Sequence, residues 1–537
     1  MTEKNKSFRR FGVMLDCSRN AVMNIPTLKK WIDIMADLGY NTLMLYTEDT
    51  YEVDNQPYFG YLRGRYSQKE LREIDDYAFK KGIVFIPAIQ TLAHLNSIFR
   101  WPAYGRINDC NDILLAGDGR TYQLIEDMFA TLEKTVRTRT VNIGMDEAHM
   151  LGRGVYQDKH GFENRFDILL NHLKKVALIA EKHGFRCIMW GDMFFRLLGG
   201  GYYSDGAVPE SVKEMIPDNV NLIYWDYYST DKEHYSKQIK SHSAVKDGIW
   251  FAGGLWSWTG FAPHNDYSID ATKAAFEACD EHEILDAFLT VWGDNGAECS
   301  KFSLLPSLYY AAQLALGCRD EEKIKNGFYE KYGIAFDDFM LTDLPGTANE
   351  LKNEILNPEK YMLYNDCFLG QLDSTVRDFD AAKYGECADK LKQLESNPEY
   401  GYMFKTLRTL CEVLSIKYDI GVRTRKAYNS GDKTAVAALI PDYDRLLILI
   451  DEFYRAFRDQ WMKENKPNGF EVQDIRIGGL IFRVRHCKER LEAYAENKLS
   501  SIEELEEALL DFTGGGEAFG KKPICFNNWG AAASVDL

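Results

Sequence analysis

Residues 140–147 read TVNIGMDE, a short apolar run that ends in two adjacent carboxylates. Runs of the same kind recur through about the first 300 residues, and each has the length and composition of a strand that is buried on both faces. Between them lie amphipathic stretches such as IPTLKKWIDIMADLGY (25–40), in which apolar residues recur at helical spacing. The other runs are FGVMLDCS (11–18), TLMLYTE (42–48), IVFIPAIQ (83–90), RCIMWGD (186–192), NLIYWDY (221–227), IWFAGGLW (249–256) and AFLTVWGD (287–294).

Eight strand–helix repeats in about 300 residues predict an α/β fold, a (β/α)8 TIM barrel that spans residues 1–318. A doubly wound open sheet is the alternative, but it rarely needs eight such units, and no GxGxxG motif follows the first run. Residues 319–515 are nearly continuous amphipathic helical pattern, which predicts a mostly α-helical C-terminal domain over residues 319–537. The Gly-rich end of the chain, 511–537, is predicted to be irregular.

Composition narrows the class of protein. The 537 residues carry a net charge of −17, which argues against nucleic acid or an anionic membrane as the main partner. The first residues, MTEKNKSFRRFGVML, lack the apolar segment of a secretory signal, and eleven cysteines occur without CxxC pairs. Both features predict a cytoplasmic protein without disulfides. The helical region could pack in a homodimer, although no heptad pattern requires it.

The eight runs share a feature at their ends. Each begins with apolar residues and finishes with polar, charged or aromatic ones, and in a parallel barrel all these ends open on the face that carries the active site. An isolated Asp-Glu pair usually lies in a solvated loop or at a helix N-terminus. Asp146 and Glu147 instead follow a buried run directly. Because successive strand residues point in opposite directions, the two carboxylates could address different atoms of one substrate.

The segment VNIGMDEAH (141–149) resembles the HxGGDE motif of glycoside hydrolase family 20, the β-N-acetylhexosaminidases. It departs from the motif because Val141 or Asn142 stands at the position of the histidine and Met145 at one of the glycines. The resemblance extends in order over about residues 8–300. It includes LDCSRN (15–20), IQTLAHL (89–95) and the tryptophan-bearing segments IMWGD, IYWDYY, GLWSW and TVWGD. The segment YFGYLRGRYS (58–67) and the helical C-terminal region are similar to a short bacterial branch that lacks the family's N-terminal α/β domain.

This resemblance implies a retaining exo-β-N-acetylhexosaminidase without metal or cofactor. It would remove terminal, non-reducing β-linked GlcNAc or GalNAc from a small oligosaccharide or glycoconjugate. Catalysis would be substrate-assisted, because the family is an exception to the two-carboxylate scheme and uses the 2-acetamido oxygen as the nucleophile. Glu147 would be the acid/base, and Asp146 would orient the acetamido group and stabilise an oxazolinium-like intermediate.

The resemblance also assigns the sugar pocket. Arg19 would bind O3 and O4, unless it only forms a salt bridge at the barrel rim, and Asp294 would bind O4 or O6. Tyr227 would donate to the acetamido oxygen, and His94 would lie near the catalytic pair or simply hydrogen-bond a carboxylate. Four tryptophans at strand ends would enclose the sugar, against the alternative of ordinary core packing. They are Trp190, Trp225, Trp256 and Trp292, with Trp258 on the leaving-group side.

Two other classes of function remain open from the residues alone. A metal-dependent sugar isomerase or hydrolase barrel could use His94, Asp146, Glu147 and His149 as ligands, although no HxH pair follows the first strand and no HExxH motif occurs. A catalytically inactive sugar-binding barrel would keep the tryptophans but would not need both carboxylates. Acetamido-assisted glycosidases of another kind carry an Asp-Asp pair, which Glu147 argues against.

Overall fold

The computed structural model describes residues 8–203, 208–209, 211–348 and 355–510, together with residues 512 and 530. Eight parallel strands form a closed barrel, in which each strand pairs with the next along the chain and the eighth pairs with the first. The predicted (β/α)8 barrel is therefore confirmed. The strands are β1 (Arg10–Asp16), β2 (Thr42–Tyr46), β3 (Val84–Ala88), β4 (Thr140–Asn142), β5 (Arg186–Trp190), β6 (Val220–Trp225), β7 (Trp250–Gly254) and β8 (Asp286–Val291).

The strands are apolar throughout because both of their faces are covered. Every residue of β2, β7 and β8 is buried, with side chains directed either into the barrel or towards the surrounding helices. Strand β1 closes the barrel by pairing with β2 on one side and β8 on the other, as in Gly12 with Thr42 and Leu15 with Val291.

Local signals in the sequence set the ends of the barrel helices. The side chain of Asn24 accepts a hydrogen bond from the Thr27 N–H at the start of the first helix, which ends at Gly39 in the left-handed conformation (φ 86°). Ser67 and Glu70 form a capping box on the second. The helices are α1 (Ile25–Leu38), α2 (Gln68–Lys80), α3 (Asn96–Phe99), α4 (Gly119–Thr135), α5 (Val155–His160), α6 (Arg165–Lys182), α7 (Asp192–Leu198), α8 (Ser211–Met215), α9 (Lys232–Val245), α10 (Asn265–Glu281) and α11 (Leu305–Ala315).

The described residues after 318 form helices and no strand, which confirms the predicted helical region. The long helix α17 (Gly401–Asn429) packs against α16 (Asp380–Lys392) and α19 (Ile440–Glu464), and α19 packs against α20 (Glu471–Ala495). The domain boundary at residue 318 stays a prediction, and the Gly-rich end lies outside the described residues apart from 512 and 530. The helices are α12 (Glu321–Tyr332), α13 (Phe336–Phe339), α14 (Leu344–Thr347), α15 (Pro358–Tyr364), α16 (Asp380–Lys392), α17 (Gly401–Asn429), α18 (Lys433–Ala437), α19 (Ile440–Glu464), α20 (Glu471–Ala495) and α21 (Glu503–Glu506).

The helical region shares one apolar core with the barrel. The ring of Phe261, which follows β7, lies 5.3 Å from that of Phe453 and 5.4 Å from that of Phe457, both on α19. The side chain of Asn24 donates to the carbonyl of Lys463 at 2.9 Å. The two parts of the chain are thus held together by burial and hydrogen bonds. None of the described helices combines the length and apolarity needed to cross a bilayer.

Candidate active site

A pocket opens at the C-terminal ends of the barrel strands. It holds about 520 Å³ of atom-free space, part of which is open to solvent. Carboxylates and aromatic rings come together here because parallel strands all finish on the same face. The lining residues are Arg19, Tyr46, His94, Asp146, Glu147, Trp190, Trp225, Tyr227, Tyr228, Trp258, Trp292 and Asp294.

The turn after β4 carries the two adjacent carboxylates. The strand ends at Asn142, earlier than the apolar run suggests, because the backbone enters the left-handed region at Gly144 (φ 72°), Met145 (φ 68°) and Glu147 (φ 51°). A Cβ atom on Gly144 would lie 2.1 Å from the Gln90 Oε1, so the turn requires glycine there. Such backbone strain is often concentrated at functional sites, and here it places Asp146 and Glu147 side by side at the pocket.

The carboxylate of Asp146 has a partner at each oxygen. Gln90 Nε2 donates to Asp146 Oδ1 at 2.7 Å, and His94 Nε2 lies 3.3 Å from Asp146 Oδ2. Gln90 is itself fully buried: it also donates to the Tyr46 hydroxyl at 2.9 Å, and its carbonyl oxygen accepts from the Met145 N–H at 3.2 Å. These contacts fix the orientation of Asp146.

His94 and Asp146 form a charged pair. Burial favours the neutral form of both groups and by itself would lower the pKa of His94. The charge of the Asp146 carboxylate exceeds this effect and raises the pKa of His94 to about 10. In the same way, the imidazolium overcomes the effect of burial and lowers the pKa of Asp146. Near neutral pH, Asp146 is therefore an oriented anion beside a cation.

Glu147 lies at the mouth of the pocket, with 41% of its side chain exposed. Its Oε2 is 3.8 Å from His94 Nε2, and its Oε1 is 3.6 Å from Arg196 Nη2. The backbone N–H of Glu147 donates to Asp192 Oδ2 at 3.0 Å. Burial, together with the nearby charge of Asp146, raises the pKa of Asp192 to about 7. Glu147 thus has a fixed backbone and a side chain that a ligand can reach.

Charged groups also form one wall of the pocket. Arg19 Nη2 lies 3.2 Å from Glu48 Oε1, and Arg19 Nε lies 3.9 Å from Asp294 Oδ1. Burial raises the pKa of Glu48 to about 7 against the opposing charge of Arg19, and loss of hydration raises that of Asp294 to about 6. Arg19 therefore forms a salt bridge at the barrel rim, as one of the two sequence-based alternatives expects, and it also lines the pocket.

The tryptophan predictions need one correction. Trp190, Trp225 and Trp292 line the pocket, but Trp256 does not, because Trp258 stacks on its indole with ring centroids 4.1 Å apart and takes the pocket-facing place. Trp256 is fully buried, and its Nε1 donates to the carbonyl of Tyr227 at 2.9 Å.

Tyr227 faces the pocket from the segment after β6. Its ring stacks on that of Trp225 with centroids 5.6 Å apart and meets Trp258 edge-on at 5.1 Å. A Cβ atom on Gly254, at the end of β7, would lie 2.9 Å from the Tyr227 ring. The glycine therefore leaves the space that the tyrosine occupies.

Sequence reasoning missed three residues in or beside the pocket, Tyr46, Tyr228 and Arg196, and it placed Gln90 at a strand end without giving it a role. Tyr46 ends strand β2 and Tyr228 directly follows the run 221–227, so the signal that identified the tryptophans could have found them. Gln90 ends a run without an evident role, and Arg196 lies on α7 with no signal at all.

The metal-ligand alternative receives no geometric support. Among the residues that the structure describes, no three His, Cys, Asp or Glu side chains converge as metal ligands, and this includes His94, Asp146, Glu147 and His149.

Both parts of the chain match models of known protein families. A model of the glycosyl hydrolase family 20 catalytic domain matches residues 7–283. A model of the glycoside hydrolase 20C C-terminal domain matches residues 337–522.

Curated relatives and solved structures were also found. Human hexosaminidase D is 23% identical over 262 residues, which cover 45% of this chain and 50% of the human protein. Bovine hexosaminidase D is 24% identical over 262 residues, which cover 45% of this chain and 70% of the bovine protein. The chain thus spans half the length of the human relative. The β-N-acetylhexosaminidase of Bacteroides fragilis NCTC 9343 superposes with a TM-score of 0.46 at 20% identity, covering 62% of this chain and 71% of that one. The Flavobacterium johnsoniae chitobiase superposes with a TM-score of 0.46 at 14% identity, and the match covers 93% of this chain and 74% of the chitobiase chain.

Proposed function

Because this chain belongs to glycosyl hydrolase family 20, we propose that it is a retaining exo-β-N-acetylhexosaminidase. It would release terminal β-linked GlcNAc or GalNAc from small oligosaccharides or glycoconjugates. The observation that carries the proposal is the pair Asp146 and Glu147 in a pocket walled by tryptophans. Gln90 and His94 hold the first carboxylate, while the second stays open to a ligand.

In the first step, the carbonyl oxygen of the substrate's 2-acetamido group attacks C1 while the leaving oxygen takes a proton from Glu147. Asp146 accepts a hydrogen bond from the acetamido N–H and stabilises the positive charge that develops on the ring being formed. Its fixed orientation supports this role, because a group that is already oriented needs no reorganisation when the charge appears.

In the second step, water attacks C1, gives its proton to the Glu147 carboxylate and opens the intermediate. The anomeric configuration is retained because each of the two steps inverts it. The position of Glu147 at the pocket mouth supports its role as acid/base, since both the leaving group and the incoming water arrive from that side.

The remaining residues would hold the sugar. Arg19 and Asp294 would bind the hydroxyl groups remote from the scissile bond, and Tyr227 would donate to the acetamido oxygen. The aromatic walls would cover the apolar face of the ring and the acetamido methyl group. A pocket that encloses the sugar end in this way supports exo action. The preference for GlcNAc or GalNAc depends on O4, near Arg19 and Asp294. The cytoplasmic location, the bacterial source and a homodimer stay predictions.

The test compares hydrolysis of 4-nitrophenyl 2-acetamido-2-deoxy-β-glucoside with that of 4-nitrophenyl β-glucoside, both with EDTA present. We expect rapid release of nitrophenol from the acetamido sugar alone, and tight inhibition by a thiazoline mimic of the intermediate. Equal rates on the two sugars would contradict acetamido participation. Activity that disappears with EDTA would favour the metal-dependent alternative, and binding of GlcNAc without hydrolysis would favour the sugar-binding barrel.

A further inference from the structure

The segment after β8 carries two residues of the pocket, Trp292 and Asp294, and its backbone has an unusual conformation. Asn295 (φ 59°), Gly296 (φ 130°) and Ala297 (φ 52°) have positive φ in succession. For non-glycine residues this conformation persists only where surrounding contacts compensate for it.

Beside the local bond from the Ala297 N–H to the Gly293 carbonyl at 2.7 Å, three of those contacts come from the helical C-terminal region. Arg476 Nη1 on α20 donates to the carbonyl of Asn295 at 2.7 Å, and Lys360 Nζ on α15 donates to the same carbonyl at 3.2 Å. Gln473 Nε2, also on α20, lies 3.5 Å from the carbonyl oxygen of Gly296. Three side chains more than 60 positions away in the sequence thus contact the backbone directly after Asp294.

A buried carboxylate holds the two cations in place. Glu298 pairs with Lys360, and its Oε1 lies 3.0 Å from Arg476 Nη1. Glu298 and Lys360 are 1% and 0% exposed, whereas Arg476 is 23% exposed. Buried charges that are paired and hydrogen-bonded have well-defined positions, because losing either partner leaves an uncompensated charge.

We infer that Arg476, Lys360 and Gln473 are positioning residues for Asp294, through which the helical region completes the sugar pocket. They hold the backbone of residues 295–296 so that the Asp294 carboxylate faces the hydroxyl groups of the bound sugar. The inference rests on the proposed function for the identity of the ligand. It gives the C-terminal domain a role in substrate binding rather than in stability alone.

The test uses Arg476→Met and, as the matched control, Arg483→Met in the full-length protein. Arg483 lies on the same helix, is 29% exposed and pairs with Asp366 inside the helical region. With 4-nitrophenyl 2-acetamido-2-deoxy-β-glucoside we expect Arg476→Met to raise KM by about 10-fold or more with little change in kcat, because a displaced binding group weakens ground and transition states alike. Arg483→Met should leave both constants near those of the wild type.

A double-mutant cycle separates positioning from general loosening. In an Asp294→Asn background, Arg476→Met should add little to KM, because the group that it positions is already altered. Gly296→Ala offers a second variant that removes no charge, since its Cβ would lie 2.5 Å from Arg476 Nη1 and displace the guanidinium from the Asn295 carbonyl, at a φ of 130° that favours glycine. Gly296→Ala should also raise KM, and it replaces Arg476→Met as the test if that variant does not fold.

Hydrogen exchange of the peptide spanning 292–298 tests the contact without relying on activity. Exchange should be faster in Arg476→Met and unchanged in Arg483→Met. A KM and an exchange rate in Arg476→Met that equal those of the control, or a KM effect that is fully additive with Asp294→Asn, would overturn the inference. An inactive wild type with the expected exchange pattern would instead contradict the proposed function and leave the positioning role standing.

Discussion

At the scale of single residues, Asp146 is set apart by having Gln90 at one carboxylate oxygen and His94 at the other. Asp146→Asn keeps the shape of the side chain but removes the charge that would stabilise the intermediate. We expect kcat to fall by about 10²–10³-fold, as when one preorganised electrostatic group is lost. Steady-state kinetics on 4-nitrophenyl 2-acetamido-2-deoxy-β-glucoside measure this, with a thermal melt to check folding. A kcat near that of the wild type would mean that Asp146 does not serve the acetamido group.

Glu147 should show a different dependence on the substrate. Glu147→Gln removes the proton that a poor leaving group requires, whereas a nitrophenolate departs without it. We expect kcat/KM to fall by about 10²–10⁴-fold on an alkyl or disaccharide substrate and by clearly less on the nitrophenyl glycoside. Comparing the two substrates on one enzyme preparation cancels errors in active concentration. Equal losses on both would remove Glu147 from the role of general acid.

The charged pair of His94 and Asp146 predicts a pH dependence of stability. The pKa of His94 is about 10 in the folded protein against an ordinary value of 6.5, so the folded state binds the proton more tightly. This contribution is fully present below about pH 6.5 and is lost as the pH rises towards 10. Urea unfolding across that range should show a steeper decline for the wild type than for His94→Gln. Parallel curves would mean that the imidazolium is not stabilised by folding.

At the scale of the element, the turn after β4 depends on Gly144. Gly144→Ala would force a Cβ to within 2.1 Å of the Gln90 Oε1 at φ 72°, so it should both destabilise the protein and displace the side chain that orients Asp146. We expect a loss of about 1–3 kcal/mol in the free energy of unfolding together with a large fall in kcat.

Gly39→Ala is the matched control for that turn. Gly39 has φ 86° at the end of α1, but nothing lies within 4 Å of a Cβ built there. Because alanine is strained at this φ, Gly39→Ala should lower the free energy of unfolding by about 1–2 kcal/mol without changing kcat. Equal effects of the two variants on kcat would mean that strain in general, and not the Gln90 contact, governs activity.

At the scale of the whole molecule, the barrel and the helical region share a core, so we expect them to unfold together. Phe261→Ala would remove the ring that contacts Phe453 and Phe457. It should lower the free energy of unfolding by about 3–5 kcal/mol. Urea titrations followed by far-ultraviolet circular dichroism and by tryptophan fluorescence should coincide in the wild type.

The control for that interface is Phe482→Ala on α20, because Phe482 is 67% exposed. A substitution at such an exposed site should change the free energy of unfolding by about 0.5 kcal/mol or less. Two separate transitions in the wild type, or equal effects of Phe261→Ala and Phe482→Ala, would show that the interface does not couple the two parts.

The barrel and its chemical face can be predicted from the order of the residues. Strands covered on both sides need continuous apolar runs, which are visible locally, and parallel strands bring the end of each run to one rim. The polar and aromatic residues that end these runs are therefore expected at one pocket. Six of the residues predicted in this way line it, namely Asp146, Glu147, Trp190, Trp225, Trp292 and Asp294.

Which side chains meet is settled only when the elements pack. The segment after β7 carries Trp256 and Trp258, and their stacking, which no periodicity encodes, brings Trp258 and not Trp256 to the pocket. Gln90 reaches Asp146 across 56 positions of sequence, and Arg476 reaches Asn295, the neighbour of Asp294, across 181. Residue spacing reports which face of one element is buried. Contacts between elements depend on how loops and helices close over the barrel, and that closure is a property of the packed molecule.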